Sequence, residues 1–233
     1  MINFSDIINQ NVRSSESSLH LQLKEYYHQP GDKIEHQIEK FIIDIVRKNF
    51  LIEVQTKNFS AIKEKLEALT KKYKVLLVYP IIQDKWIIKV DVNSKKIIKR
   101  ALSPKHSSYY NIFEELIRIP HLISEPNFMI EALIIQADEM WVNDNKGSWK
   151  RRGWSIKDRR LISILDQKLF SNPNHFLSLL PSDMDTPFTN TDLSKWLNKS
   201  QRLASMMTYC LRKMDLIKIV GKKSRSNVFD LNY

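Results

Sequence analysis

Cysteine, glycine and long apolar runs are what this sequence has least of. Cys210 is the only cysteine in 233 residues. That excludes an internal disulfide and any multi-cysteine zinc site, and it fits a reducing compartment. Glycine occurs four times, which argues against a Gly-rich phosphate-binding loop. No apolar run approaches the length of about 18 residues that a membrane helix needs, so no membrane partner is expected. The opening MINFSDIINQNVRSSESS lacks the basic head and long apolar core of a secretory signal. A cytoplasmic protein is the expectation. No internal repeat and no Pro- or Gly-rich linker is visible.

What is there is apolar enough for a real core, with 42% hydrophobic and 10% aromatic residues. The net charge of +11 favours acidic partners. It is unevenly spread. Residues 1–144 hold 20 Lys/Arg against 19 Asp/Glu, whereas residues 145–233 hold 17 against 7. An excess confined to the last third is a cue for nucleic-acid or membrane-surface contact.

Along the chain, residues 1–14 read as a lead-in. A helix follows, capped by Ser14 or Ser15 and stopped by Pro30-Gly31, with Glu16, Leu19, His20, Leu23 and Tyr27 on one face. Residues 33–56 read as a three-strand meander turning near Glu39-Lys40 and Arg47–Asn49. A helix over 33–48 competes, because Ile34, Ile38, Phe41 and Ile45 also keep a helical period. Ser60 caps an amphipathic helix carrying Ile62, Leu66 and Leu69. KVLLVYPII is a strand covered on both faces, and WIIKVDVNSKKIIKR is a hairpin turning at Asn93-Ser94. A short helix closed by Pro120 and the strand FMIEALIIQ complete an α/β domain assigned to residues 1–145.

The break NDNKGSWKRRGWSIKDRR opens a second domain, residues 146–233. Helices are expected over 157–170, 189–197 and 200–214, then strands over DLIKIV and NVFDLNY joined by GKKSRS. In the third helix Leu203, Met206, Cys210, Leu211 and Met214 form the apolar stripe.

The first domain places acids within its most sheet-like stretch. Glu53 and Gln55 project from one face of a strand, about 7 Å apart, and Lys57 shares their parity. Asp44, on the neighbouring strand, pairs beside Glu53. Two close carboxylates repel unless neutralised, and oxygen ligands suit a divalent cation such as Mg²⁺. The competing reading is a solvated sheet face, with Asp44 paired to Arg47 or Lys48. The apolar neighbours Ile42, Ile43, Ile45 and Val46 favour the metal.

Asp44 followed on the next strand by Glu53-Val54-Gln55 resembles the PD-(D/E)XK nuclease superfamily, as does the element order over residues 15–80. The resemblance implies a restriction-endonuclease-like mixed sheet flanked by helices and an Mg²⁺- or Mn²⁺-dependent endonuclease. DNA repair, defence or mobile-element processing would be its setting. It makes Asp44 and Glu53 metal ligands, with Glu16 assisting from the helix; Glu25, Glu35 and Glu39 are weaker candidates. The departure is Gln55, where the pattern has lysine. Gln55 would orient the attacking water, and Lys57 could supply the charge. A non-catalytic DNA-binding protein with a degenerate nuclease fold is the alternative.

Three helices and a basic ribbon look like a winged helix, whose third helix enters the DNA major groove. Gln201, Arg202, Ser205, Tyr209, Arg212 and Lys213 are left facing outward, and Lys222, Lys223 and Arg225 sit at the wing. Arg151 and Arg152, between Trp149 and Trp154, would clamp phosphates, or the tryptophans anchor a linker whose charges stay solvated. A winged helix used for protein contact or dimerisation is the rival, so a homodimer or a partner protein stays open. Of the histidines, His20 lies one turn after Glu16 and His106 lies in a basic loop. His20 shares the face of Glu16 and could touch the site or be structural, whereas His28, His36, His121 and His175 have no metal spacing, and Cys210 reads as core.

Overall fold

In the computed structural model the residues described are 16–91, 94 and 96–232. The chain is α/β, with a large mixed sheet flanked by helices. Seven strands lie in the order β1-β2-β3-β4-β6-β7, with β5 paired to β4. Contacts divide the chain into two units. One comprises residues up to Pro30 with Ile82–Ser108 and Leu133–Asp166, and the other comprises Gly31–Ile81, Tyr109–Ala132 and Gln167–Tyr233.

The second unit begins with the meander: β1 (Lys33–Ile38), β2 (Phe41–Arg47) and β3 (Phe50–Val54). The helical alternative for residues 33–48 is not what forms. Ile42, Ile43, Ile45, Val46 and Ile52 are β-branched and prefer the pleated surface. The turns fall at Glu39-Lys40 and Lys48-Asn49. Glu39 and Lys48 take positive φ there. A 3-10 turn at Phe59–Ile62 leads into α2 (Lys63–Leu69). This crossover lets β3 pair in parallel with β4 (Lys74–Val90), Glu53 opposite Leu77. Leu66 and Leu69 are buried beneath it with Phe59, Val75 and Leu77. Later in this unit come α3 (Phe113–Leu116), α4 (Asn190–Trp196) and α5 (Gln201–Lys213). A three-stranded antiparallel sheet of β8 (Phe188–Thr189), β10 (Ser226–Leu231) and β9 (Ile217–Lys223) has the order β8-β10-β9. Phe170 stacks on Phe176 at 4.2 Å between ring centres, and Phe176 meets Phe113.

The first unit contains α1 (Ser18–Tyr27), β5 (Ile97–Leu102), the end of β4, and most of β6 (Phe128–Asn143) and β7 (Trp154–Phe170). Ser17 caps α1; the expected caps Ser14 and Ser15 lie outside the described residues. Ser18 donates through its backbone N–H and its hydroxyl to the buried Asp158 carboxylate at 2.9 and 2.6 Å. Ile88, Val90 and Met140 form a small buried cluster here.

The helix expected over 157–170 is instead strand β7. Leu161, Ile164, Leu165 and Lys168 keep a helical spacing, so the pattern alone was ambiguous. Pairing with β6 decides it, because β-branched Ile156, Ile162 and Ile164 fit a long strand. Ile162, Leu165 and Leu169 stay 44–46% exposed, so no helical stripe is buried.

Candidate functional site

The register of β2 on β3 pairs Ile45 with Ile52 and Val46 with Leu51, which sets Asp44 opposite Glu53 on the same face. Their residues are 8% and 7% exposed. Asp44 Oδ2 accepts the Val54 N–H at 2.8 Å. Glu53 Oε1 accepts from Lys65 Nζ, which also donates to the Ile42 carbonyl. Glu53 Oε2 is buried and has no hydrogen-bond partner among the described residues. Burial, and then the Asp44 charge, push the Glu53 carboxyl up to about 7, against the opposing pull of Lys65.

Lys65 escaped the reading of the sequence. It belongs to α2 rather than to the strand, and only the crossover brings it to Glu53. An amphipathic helix with a half-buried lysine on its sheet-facing side was the available signal. Gln55 donates its side-chain N–H to the Lys57 and Asn58 carbonyls, tying the turn that leads to α2. Lys57 is exposed. Glu115 Oε2 accepts the Phe59 N–H at 3.0 Å, pinning the start of that crossover.

Glu16 lies in the first unit, within 3.3 Å of His20 Nδ1 and 2.9 Å of Lys24 Nζ. Of the weaker acids, Glu39 pairs with Lys72 at 2.6 Å, and Glu25 and Glu35 are exposed. Also in the first unit, Glu139 is fully buried among Lys85, Arg159 and Trp141. Those donors outweigh its burial and hold its carboxyl below the usual range. Arg151 and Arg152 sit on the turn between β6 and β7. Arg151 Nε donates to the Trp154 carbonyl at 3.1 Å, and Arg152 is exposed with φ 49°. Trp149 is 90% exposed, while Trp154 lies under Lys89 Nζ at 4.6 Å. One tryptophan therefore anchors the loop and the other does not. His106 Nδ1 pairs with Asp84 at 2.8 Å.

A family model described as "Domain of unknown function (DUF8091)" matches residues 17–171, more than half of the chain. The chain belongs to the DUF8091 family. The DUF8091 match runs from the start of α1 through β7 and includes Asp44, Glu53 and Lys65. An "Uncharacterized protein" of Treponema pallidum (strain Nichols) is 26% identical over 181 residues, covering 77% of this chain and 72% of that protein. No solved structure gives a significant match.

Beyond the DUF8091 match, Thr189 and Asp192 form a reciprocal capping box on α4, and Ser200 caps α5. In α5 the residues Leu203, Ala204, Met207, Cys210 and Leu211 are buried, so the stripe expected through Met206 runs through Met207 instead. Burial pushes the Cys210 thiol up to about 12, as befits a core residue. Gln201, Arg202, Ser205, Tyr209, Arg212 and Lys213 all face outward. Gln201 Nε2 donates to Thr191 Oγ1 at 2.8 Å. Lys222 and Lys223 end β9, and Arg225 lies in the two-residue turn to β10; all three are exposed.

Proposed function

We propose that this protein is a metal-dependent DNA endonuclease whose Asp44 and Glu53 hold the metal. The observation that carries the reading is the opposed, buried pair on β2 and β3, with Glu53 Oε2 left unpartnered among the described residues. A buried carboxylate oxygen with no donor is costly, and a cation would satisfy it. The all-oxygen donor set fits Mg²⁺ or Mn²⁺. When bound, such an ion polarises a phosphoryl oxygen and lowers the pKa of bound water. Lys65 is the cation beside Glu53, so it takes the charge role for which Lys57 was the sequence's candidate. The meander, the α2 crossover and the parallel β4 support the restriction-endonuclease-like reading.

In the same reading residues 188–232 are a winged helix, narrower than the expected 146–233 because strand β7 stands where its first helix was expected. The order β8-β10-β9 and the succession of α4 and α5 support it. The outward α5 residues and Lys222, Lys223 and Arg225 would then meet DNA, chiefly its phosphates. The second reading is DNA binding without cleavage. It is favoured by Lys65, which neutralises one Glu53 oxygen without a metal, and by Gln55, whose amide is spent on its own turn.

The test is cleavage of supercoiled, linear, single-stranded and branched DNA with Mg²⁺, Mn²⁺ or EDTA, using wild type, Asp44→Asn and Glu53→Gln. The expected result is metal-dependent cutting that both variants lose. Mg²⁺ should also raise the melting temperature of wild type and not of Glu53→Gln. Binding to DNA with no cutting of any substrate would hand the case to the second reading.

A further inference from the structure

A cleft of about 350 Å³ opens within the second unit, between the end of α3 and the first turns of α5. Arg118 and Arg202 line it, with Glu114, Glu115, Leu203 and Met206. Its charges are not matched to one another. Glu114 stands one helical turn before Arg118, where an ion pair would ordinarily form, yet its carboxylate takes the Asn111 side-chain N–H at 2.9 Å. Glu115 is engaged by the Phe59 N–H. Neither guanidinium has a hydrogen bond or ion pair among the described residues. The cleft therefore holds two acids that already have donors and two planar cations that lack acceptors. Leu203 is buried and Met206 half-buried, which gives the cleft an apolar wall.

We propose that this cleft binds the phosphate group of a nucleotide, with Arg118 and Arg202 as the clamp and Leu203 and Met206 beneath the sugar or base. Guanidinium forks match phosphate oxygens in pairs. Glu114 and Glu115 keep acceptor capacity for hydroxyl or amino groups. The volume lies at the small end of ligand sites, which begin near about 300 Å³, and suits one monomer. The phosphate could belong to a free mononucleotide or to a nucleic-acid strand. Only the strand source rests on the DNA reading above.

The full chain is titrated in EDTA with deoxyadenosine monophosphate, inorganic phosphate and a short DNA duplex, so a failure of metal-dependent cutting leaves the result intact. Wild type is compared with Arg118→Ala, Arg202→Ala and Arg118→Lys, and melting curves confirm folding. For a free nucleotide, the monophosphate binds, and each alanine variant weakens it by about tenfold. Arg118→Lys restores part of that loss. For a strand, the monophosphate fails to bind, duplex affinity falls, and the slope of log K against log salt drops by about one per arginine removed. Unchanged binding of both ligands by the two alanine variants would overturn the proposal. So would wild type binding neither ligand, or inorganic phosphate binding as tightly as the monophosphate.

Discussion

Asp44, Glu53 and Lys65 show what a single residue's environment adds to its letter. The acids were legible because they interrupt β-branched runs. Lys65 was not, since nothing local ties residue 65 to residue 53. Breaking a buried pair by removing one partner leaves an uncompensated charge, whereas replacing both relieves it. Lys65→Met is thus expected to destabilise the metal-free protein by about 3 kcal/mol in urea unfolding. Adding Glu53→Gln should recover most of that loss. A single variant as stable as wild type would show that Lys65 does not compensate Glu53. Gln55 carries a related lesson. Its place in Glu53-Val54-Gln55, where the nuclease pattern has lysine, suggested a water-positioning role, but its amide closes the Lys57–Asn58 turn.

At the scale of elements, the meander, α2, α4 and α5 were readable from local signals, although α2 starts at Lys63 without a side-chain cap and Ser60, its expected cap, lies in the 3-10 turn before it. Turn positions and β-branched residues outweighed the helical period in the meander, and the apolar period marked the helices. In β7 the local signals did not agree, and the helical spacing of its apolar residues misled. The Thr189–Asp192 box gives an element-level test. Hydrogen bonds from the Thr189 hydroxyl, and then from its backbone N–H, hold the Asp192 carboxyl below its ordinary 3.8. A carboxyl depressed by folding contributes stability above its unfolded value and loses it as pH falls through the folded one. Thr189→Ala should therefore cost about 1 kcal/mol at neutral pH. The gap to wild type should narrow once the pH falls below about 3.8. Urea unfolding at several pH values measures both, and a gap independent of pH would separate the cap from Asp192.

For the whole molecule, the decisive sequence signal was charge, with the excess confined to residues 145–233. If that charge serves nucleic acid, the triple variant Lys222→Ala, Lys223→Ala, Arg225→Ala should weaken DNA binding at every sequence. Its log K against log salt slope should flatten by about three. Fluorescence anisotropy across a salt series reads this, and an unchanged slope would remove the wing from the interface. No described helix is long and apolar enough to cross a membrane. By itself the sequence determined the α/β class, the turns of the meander and the outward face of α5, because each depends on neighbours a few residues away. Only the tertiary structure decided that β7 is a strand, that Lys65 meets Glu53, and that Arg118 and Arg202 line one cleft. Those pairings join distant segments, and no local propensity encodes which strand or helix will lie alongside.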